Sequence, residues 1–161
     1  VASFATGLTS EATGDHANAM GINCIASGDN SFAIGNSSIA SGTSGIAMGY
    51  ISNADANYSV ALGNRAQTDG HTGAFVFADA STTDSLESSA NNQYMARFAG
   101  GYRLYTNATM TTGVGLNAGG SSWNVVSDVR KKENFETADA ENFLIKLNKI
   151  ELGSWNYKLY C

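Results

Sequence analysis

The chain has 161 residues, a mass of 16.8 kDa and a formal net charge of −5, with 18 glycines, no proline and only 14% charged residues. That charged share is about half the usual globular value, and the acidic balance excludes a general nucleic-acid binder. No apolar run approaches the ~18 residues that a membrane-spanning helix needs. Charge is unevenly placed. Residues 1–126 hold three arginines, eight acids and no lysine, whereas residues 127–161 hold six bases and six acids, including all five lysines. The break near 126/127 marks a candidate module boundary. The chain opens at Val1 without a basic-then-apolar leader, which reads as a fragment or a processed product. Two cysteines, Cys24 and Cys161, are too few for a disulfide framework.

From the N-terminus the dominant feature is a repeat. Glycine falls at positions 7, 14, 21, 28, 35, 42 and 49, then at 63 and 70, with Ala56 at the one missing site. Alanine stands two residues before each position, from Ala5 to Ala61, until Thr68 breaks the series. Between Ala and Gly the residue alternates from Met20 onward: Met20, Ser27, Ile34, Ser41, Met48, Asp55, Leu62, Asp69. The unit is therefore fourteen residues, two short strands and two turns. A coiled coil is excluded, because each seven contains a glycine that costs about 1 kcal/mol in a helix interior. Ser, Asn and Asp fill the turns instead, and the unit fits a β-solenoid whose coils stack on one another.

Strand alternation assigns the faces. Ala19, Ala26, Ala33, Ala40, Ala47, Ala54 and Ala61 share a side on which only a very small side chain recurs, so they are placed in a narrow roll interior. The glycines are read as the tight turns, where positive φ is needed. Met20, Ile34, Met48 and Leu62 then form an apolar stripe on the outside of one strand, flanked by Phe32, Ile46 and Val60. The other strand presents Ser27, Ser41, Asp55 and Asp69. An exposed apolar stripe needs a partner, and self-association with rotational closure is the economical one.

The segments Ser31-Phe32-Ala33-Ile34-Gly35-Asn36 and Ser59-Val60-Ala61-Leu62-Gly63-Asn64, with Ile25-Ala26-Ser27-Gly28 and Ile39-Ala40-Ser41-Gly42, resemble the repeats of YadA-like trimeric adhesin heads. The resemblance covers about residues 1–70. It implies a mainly β protein: a left-handed parallel β-roll packed as a homotrimer, its apolar strands facing the threefold axis. Thr6, Cys24, Gly45 and Ala56 depart from the pattern.

Residues 71–126 lose the repeat and read as a β-rich connector. His71 to Asp79 is expected to form a strand capping the roll, and Ser81 to Asn92 a loop. Gln93–Phe98 and Tyr102–Thr106 read as a hairpin around Gly100-Gly101. Thr111 to Gly120 reads as glycine-rich and irregular, and Trp123 to Val126 as a short strand. Farther on, Ala140, Phe143, Leu144, Leu147 and Ile150 follow helical spacing, giving a helix over 138–149 and a strand over 151–158 in a short α+β segment.

Ser127-Asp128-Val129-Arg130-Lys131-Lys132-Glu133-Asn134, with Gly119 to Trp123 before it and Ser154 to Lys158 after it, resembles the start of the intramolecular chaperone of phage tailspikes and fibres, peptidase family S74. The likeness spans about 120–161. It implies a domain that assists trimer assembly and then cuts itself free, with Ser127 as nucleophile and Lys132 as its base; either side of Ser127 could be the scissile one. A lysine serves as a base only when burial lowers its pKa. The family's domain continues beyond the Trp-Asn-Tyr-Lys segment, whereas this sequence ends at Cys161. The expectation is a truncated chaperone start over 127–161, an exposed Lys132 and an uncut chain.

His16 and His71 belong to no cluster with metal-ligand spacing and read as surface or turn residues; no metal and no cofactor is expected. No Gly-Lys-Ser/Thr follows the glycines, so they form no phosphate loop. Cys24 occupies a repeat slot held elsewhere by serine and reads as a small packing residue. The Asp55/Asp69 stripe reads as a solvated face rather than a cation site. Taken together these features point to a trimeric fibre segment outside the cell, on a bacterial surface or a phage tail fibre. It would carry adhesion or recognition of an unknown glycan or protein ligand and end in a self-cleaving trimerisation chaperone. The alternative from another class is a single-turnover autoprotease with the roll as passive spacer. A monomeric solenoid binding ice or glycan on a flat face fits less well, because its outward residues are irregular.

Overall fold

The computed structural model describes residues 2–126, 139–149 and 153. Over these residues the chain is mainly β, a parallel β-solenoid of about five regular turns followed by irregular ones, a small antiparallel sheet and one short helix. Each regular coil contributes a five-residue strand and a two-residue strand: β1 (Phe4–Leu8) and β2 (Glu11–Ala12), β3 (Asn18–Ile22) and β4 (Ile25–Ala26), β5 (Phe32–Asn36) and β6 (Ile39–Ala40), β7 (Ile46–Tyr50) and β8 (Asn53–Ala54), β9 (Val60–Asn64) and β10 (Ala66–Gln67). The long strands stack in register, so that Ala5, Ala19, Ala33, Ala47 and Ala61 lie beneath one another.

The interior is one methyl group wide. Ala19, Ala26, Ala33, Ala40, Ala47, Ala54 and Ala61 are all 0% exposed, and the largest fully buried side chain is Val76. The width is set by how closely the backbones approach. A Cβ built on Gly35 would lie 2.0 Å from the Gly49 carbonyl oxygen, and one on Gly42 would lie 1.9 Å from that of Ala56. This corrects the turn reading for every second glycine; Gly14, Gly28 and Gly42 do lie in bends, but without positive φ. Gly7, Gly21, Gly35, Gly49 and Gly63 sit inside the long strands with φ between +100° and +131°. Their neighbours require them for close approach as much as for conformation. The left-handed residues at the corners of the regular coils are non-glycine, including Thr9, His16, Asn23, Asn30, Ser37, Ser44, Ile51 and Tyr58.

The carbonyls of those strand glycines are met from the side. Ser10, Ser38 and Ser52 donate their hydroxyls to the carbonyls of Gly21, Gly49 and Gly63 at 3.0–3.1 Å. Cys24 fills the same slot, with its sulfur 3.3 Å from the Gly35 carbonyl. Ala56 is accommodated because the next coil departs at that corner: Asp69 and Gly70 both turn left-handed, and Gly70 has nothing near its missing Cβ.

Sequence periodicity ends at residue 70, but parallel stacking continues. β11 (Phe75–Ala78) pairs with β9, β12 (Leu86–Glu87) with β10, and β13 (Tyr94–Arg97) with β11. The segment read as a loop over 81–92 therefore contains a strand. Register partners Val60, Phe75 and Tyr94 show the coils lengthening to fifteen and then nineteen residues. Val76 and Met95 replace alanine in the interior column, filling it toward its end. Gly100-Gly101 joins no hairpin. β13 belongs to the solenoid, whereas β14 (Gly101–Tyr105) pairs antiparallel with β15 (Gly113–Asn117), which pairs with β16 (Asn124–Val126). The stretch read as irregular thus holds the central strand of this sheet.

Helix α1 spans Ala140–Leu147, shorter than the 138–149 read from the spacing. Asp139 caps it, accepting the backbone N–H groups of Glu141 and Asn142 at 3.1 Å. Ser127, Lys132 and, apart from residue 153, the strand expected over 151–158 lie outside the described residues.

Three substitutions test the interior and its edge. Gly35→Ala combines backbone collision with unfavourable φ and should cost about 3 kcal/mol or more, whereas Gly70→Ala meets no neighbour and should cost about 1–2 kcal/mol. Ala33→Leu should cost about 1–3 kcal/mol by overpacking. Urea midpoints of the three variants should show Gly35→Ala as the most destabilised; parity of Gly35→Ala with Gly70→Ala would rule out the close approach.

Candidate functional site

Alternation along the long strands puts every second side chain outside. One outer column runs Thr6, Met20, Ile34, Met48, Leu62, Phe77. Beside it runs Phe4, Asn18, Phe32, Ile46, Val60, Phe75 and Tyr94. Stacking lets each side chain shield its neighbours, so Phe32, Ile34, Ile46, Val60 and Leu62 are half-buried, while Met20 and Met48 are exposed. The columns carry no charged residue. The two-residue strands and their corners present Ser27, Ser41, Asp55 and Asp69, all exposed. The solenoid therefore has one apolar flank and polar edges.

The apolar columns do not stop at the last coil. Phe77 meets Phe98 edge to face with ring centroids 4.8 Å apart, Phe98 meets Tyr102 at 5.5 Å, and Tyr102 lies 6.3 Å from Trp123. This run carries the surface from β11 to the antiparallel sheet. The sequence reading missed it because Phe98, Tyr102 and Trp123 lie outside any repeat.

Asp79 and Arg97 fasten the final coil. Arg97 Nε reaches Asp79 Oδ1 at 3.1 Å, and Arg97 also donates to the carbonyls of Asp79 and Asp84. The Ala99 N–H donates to Asp79 Oδ2 at 2.7 Å, and the Ser81 hydroxyl to Oδ1 at 2.8 Å. These donors, the Ala99 N–H first, hold the Asp79 carboxyl at about 2, below its ordinary 3.8.

Where Thr68 interrupts the alanine series, a buried polar knot replaces the methyl. Thr68 Oγ1 donates to Asp55 Oδ1 at 2.8 Å, and its carbonyl accepts the Ser88 hydroxyl. Asp55 Oδ1 also accepts the Gly70 N–H at 2.9 Å. That carboxylate is committed to the turn. His71, half-buried, places Nδ1 3.2 Å from the Thr68 carbonyl and 3.1 Å from Ser88 Oγ. Because the Ser88 hydroxyl proton is given to Thr68, the pair is not arranged as nucleophile and base. His16 is exposed in a turn. Among the described residues no three His, Cys, Asp or Glu side chains converge as a metal site, and no helix is long and apolar enough to cross a membrane.

The YadA head domain repeat matches this chain twice, at residues 12–38 and 40–66, together about a third of its length. Each match covers just under two fourteen-residue coils and lies wholly within the regular coils. No curated protein and no solved structure matches.

The clamp at Asp79 predicts a defined acid response. A carboxyl whose folded pKa is depressed contributes its full stabilisation above the unfolded value and loses it as pH falls toward the folded one. That window runs from about pH 4 down to about pH 2 here. Asp79→Asn should lower the melting temperature at pH 7 and flatten the dependence between pH 4 and 2. Melts of both proteins across that range check it; equal slopes would place the acid sensitivity elsewhere.

Proposed function

We propose that the chain is an adhesin-type segment that works outside the cell as a homotrimer, with the apolar columns of three copies turned toward a common axis and the polar edges displayed to a surface ligand. The single observation that carries this reading is the pair of outer columns, apolar from Met20 and Phe32 onward, on a solenoid whose coils match the YadA head repeat. The energetics point the same way. An interior alanine contributes about 0.8 kcal/mol of methyl burial, whereas a covered Ile, Leu, Met or Phe contributes about 1.5–3 kcal/mol. Much of the apolar stabilisation available to this fold lies on its outside, and for these half-buried columns it is completed only when a partner covers them. In this reading Met20, Phe32, Ile34, Ile46, Met48, Val60 and Leu62 are the trimer contacts, and the ligand is a glycan or a protein held at the edges.

A finer reading adds a self-releasing assembly domain after residue 126. It rests on the sequence alone, on Ser127 to Asn134 and their likeness to peptidase family S74. It assigns Ser127 as nucleophile and Lys132 as base.

The double variant Ile34→Asp, Met48→Asp should convert the trimer to an unstable or unfolded protomer, because charge on the axis cannot be hydrated. Light scattering gives the mass of each; a folded monomer from the unmodified chain would sink the trimer reading. For the tail, intact-mass spectra should show a chain cut next to Ser127 only when the complete assembly domain is present, and no cut after Ser127→Ala or Lys132→Ala. A cut that persists in either variant would remove the assigned pair.

A further inference from the structure

The antiparallel sheet β14–β16 is two-faced. Strand alternation places Tyr102 and Leu104 of β14, Val114 and Leu116 of β15 and Val125 of β16 on one side, with Tyr102 opposite Leu116 and Leu104 opposite Val114, itself opposite Val125. Trp123, two residues before Val125, lies near the Tyr102 ring. This side carries no charged residue. Val125 is 75% exposed, Leu104 58% and Trp123 57%. The other side holds Arg103, Asn117, Asn124 and the glycines 113 and 115, with Tyr105 and Val126 at one end. Arg103 lies across Gly115, where an added Cβ would meet its guanidinium at 2.3 Å, and donates to Asn117 Oδ1 at 3.1 Å. Polar contacts thus occupy one face, and an apolar face is left uncovered.

We infer that this sheet is a second self-association surface: its Leu104–Val114–Val125 row packs against the same row of other copies of the chain, about the axis used by the solenoid. The inference rests on the trimer reading above and extends it beyond the repeat. Two observations select a second copy as the occupant. The aromatic run Phe77–Phe98–Tyr102–Trp123 makes this face continuous with the outer apolar column of the coils. And the face offers nothing to a charged partner, while like apolar faces of packed sheets meet at about 10 Å without electrostatic conflict. A row that lies along a rotation axis meets its own copies there, so apolar side chains on the axis pack against one another. The sheet would then act as a clamp at the end of the solenoid, fixing the three chains where the repeat gives out.

The test uses the full chain with Cys161→Ser, in which Cys24 remains fully buried and unreactive. Nitroxide labels at Val125→Cys and, separately, at Asn117→Cys report interchain distances by pulsed electron resonance. The expected result is a shorter distance at position 125 than at 117. Val125→Glu, at a position exposed in the protomer, should raise the concentration at which the trimer dissociates by at least about tenfold while leaving the protomer's β-structure by circular dichroism unchanged. A trimer in which the 125 labels are no closer than the 117 labels, or in which Val125→Glu changes nothing, overturns the inference and leaves the solenoid trimer standing. A monomeric parent chain with no interchain signal at either site overturns both. A monomer whose 125 label is immobilised would mean that the chain's own C-terminal segment covers the face, and would equally overturn the inference.

Discussion

The distance between stacked backbones at the strand glycines governs this structure. With Gly35 packed so closely that a Cβ would fall 2.0 Å from the next carbonyl, the coil cannot widen locally, and its interior admits little beyond a methyl group. A solenoid this thin has almost no core of its own. Its stability rests on the parallel hydrogen-bond ladders, on the hydroxyls that reach the glycine carbonyls, and on whatever covers the outer columns. Larger apolar side chains are displaced to the outside because nothing else is geometrically open to them. The surface that looks anomalous for an isolated chain is thus a direct consequence of the glycine spacing.

Much of this was legible in the sequence, because a fourteen-residue unit repeated with small residues at fixed offsets admits few backbones. The parallel solenoid and the fourteen-residue coil follow from period and alternation. What the period could not convey was the role of each glycine. A turn and a close approach both demand glycine, and only the geometry separates Gly35, inside a strand, from the left-handed Asn23 and Ser37 that make the corners. The extent of the solenoid was hidden for another reason. Once the coils lengthen past fourteen residues, no fixed offset survives, and Val76 and Met95 take the place of alanine. The strand at Gly113–Asn117 was obscured by its glycines. Yet Gly113-Val114-Gly115-Leu116 alternates with period two, a signal of one-faced burial that glycine content overrode. For the candidate site, the outer columns were readable from the repeat; the aromatic run was not, since its members meet only in three dimensions.

Thr68 and Asp79 show how the solenoid is brought to an end. Stacking terminates badly if the last coil leaves its ladder and its interior open, and natural sheets protect such edges. Here the methyl column first becomes a hydrogen-bonded knot at Thr68, joined to Asp55 and Ser88, and then a filled apolar column at Val76 and Met95. The Asp79–Arg97 clamp holds the chain as it leaves the stack, and the aromatic run covers the exit. Each device replaces a periodic interaction with a specific one, which is why none carries a periodic signature.

Charge placement completes the division of labour. In the proposed trimer three chains would together carry a formal charge of −15, from −5 each, and that repulsion opposes assembly wherever acids face one another. The acids of the repeat avoid the columns: Asp15, Asp29, Asp55 and Asp69 lie at corners, where they face solvent or accept backbone N–H groups, as Asp29 does from Asp15 and Asp55 from Gly70. If the columns face a common axis, corner charges on different chains would be held apart by the width of the coils, and beyond about 8 Å they are largely screened at physiological salt. An uncharged flank and an acidic rim therefore favour contact along one direction only. That geometry resists indiscriminate sideways aggregation of a fold with so much apolar surface, and it leaves the polar corners, not the columns, as the part of the molecule free to meet something else.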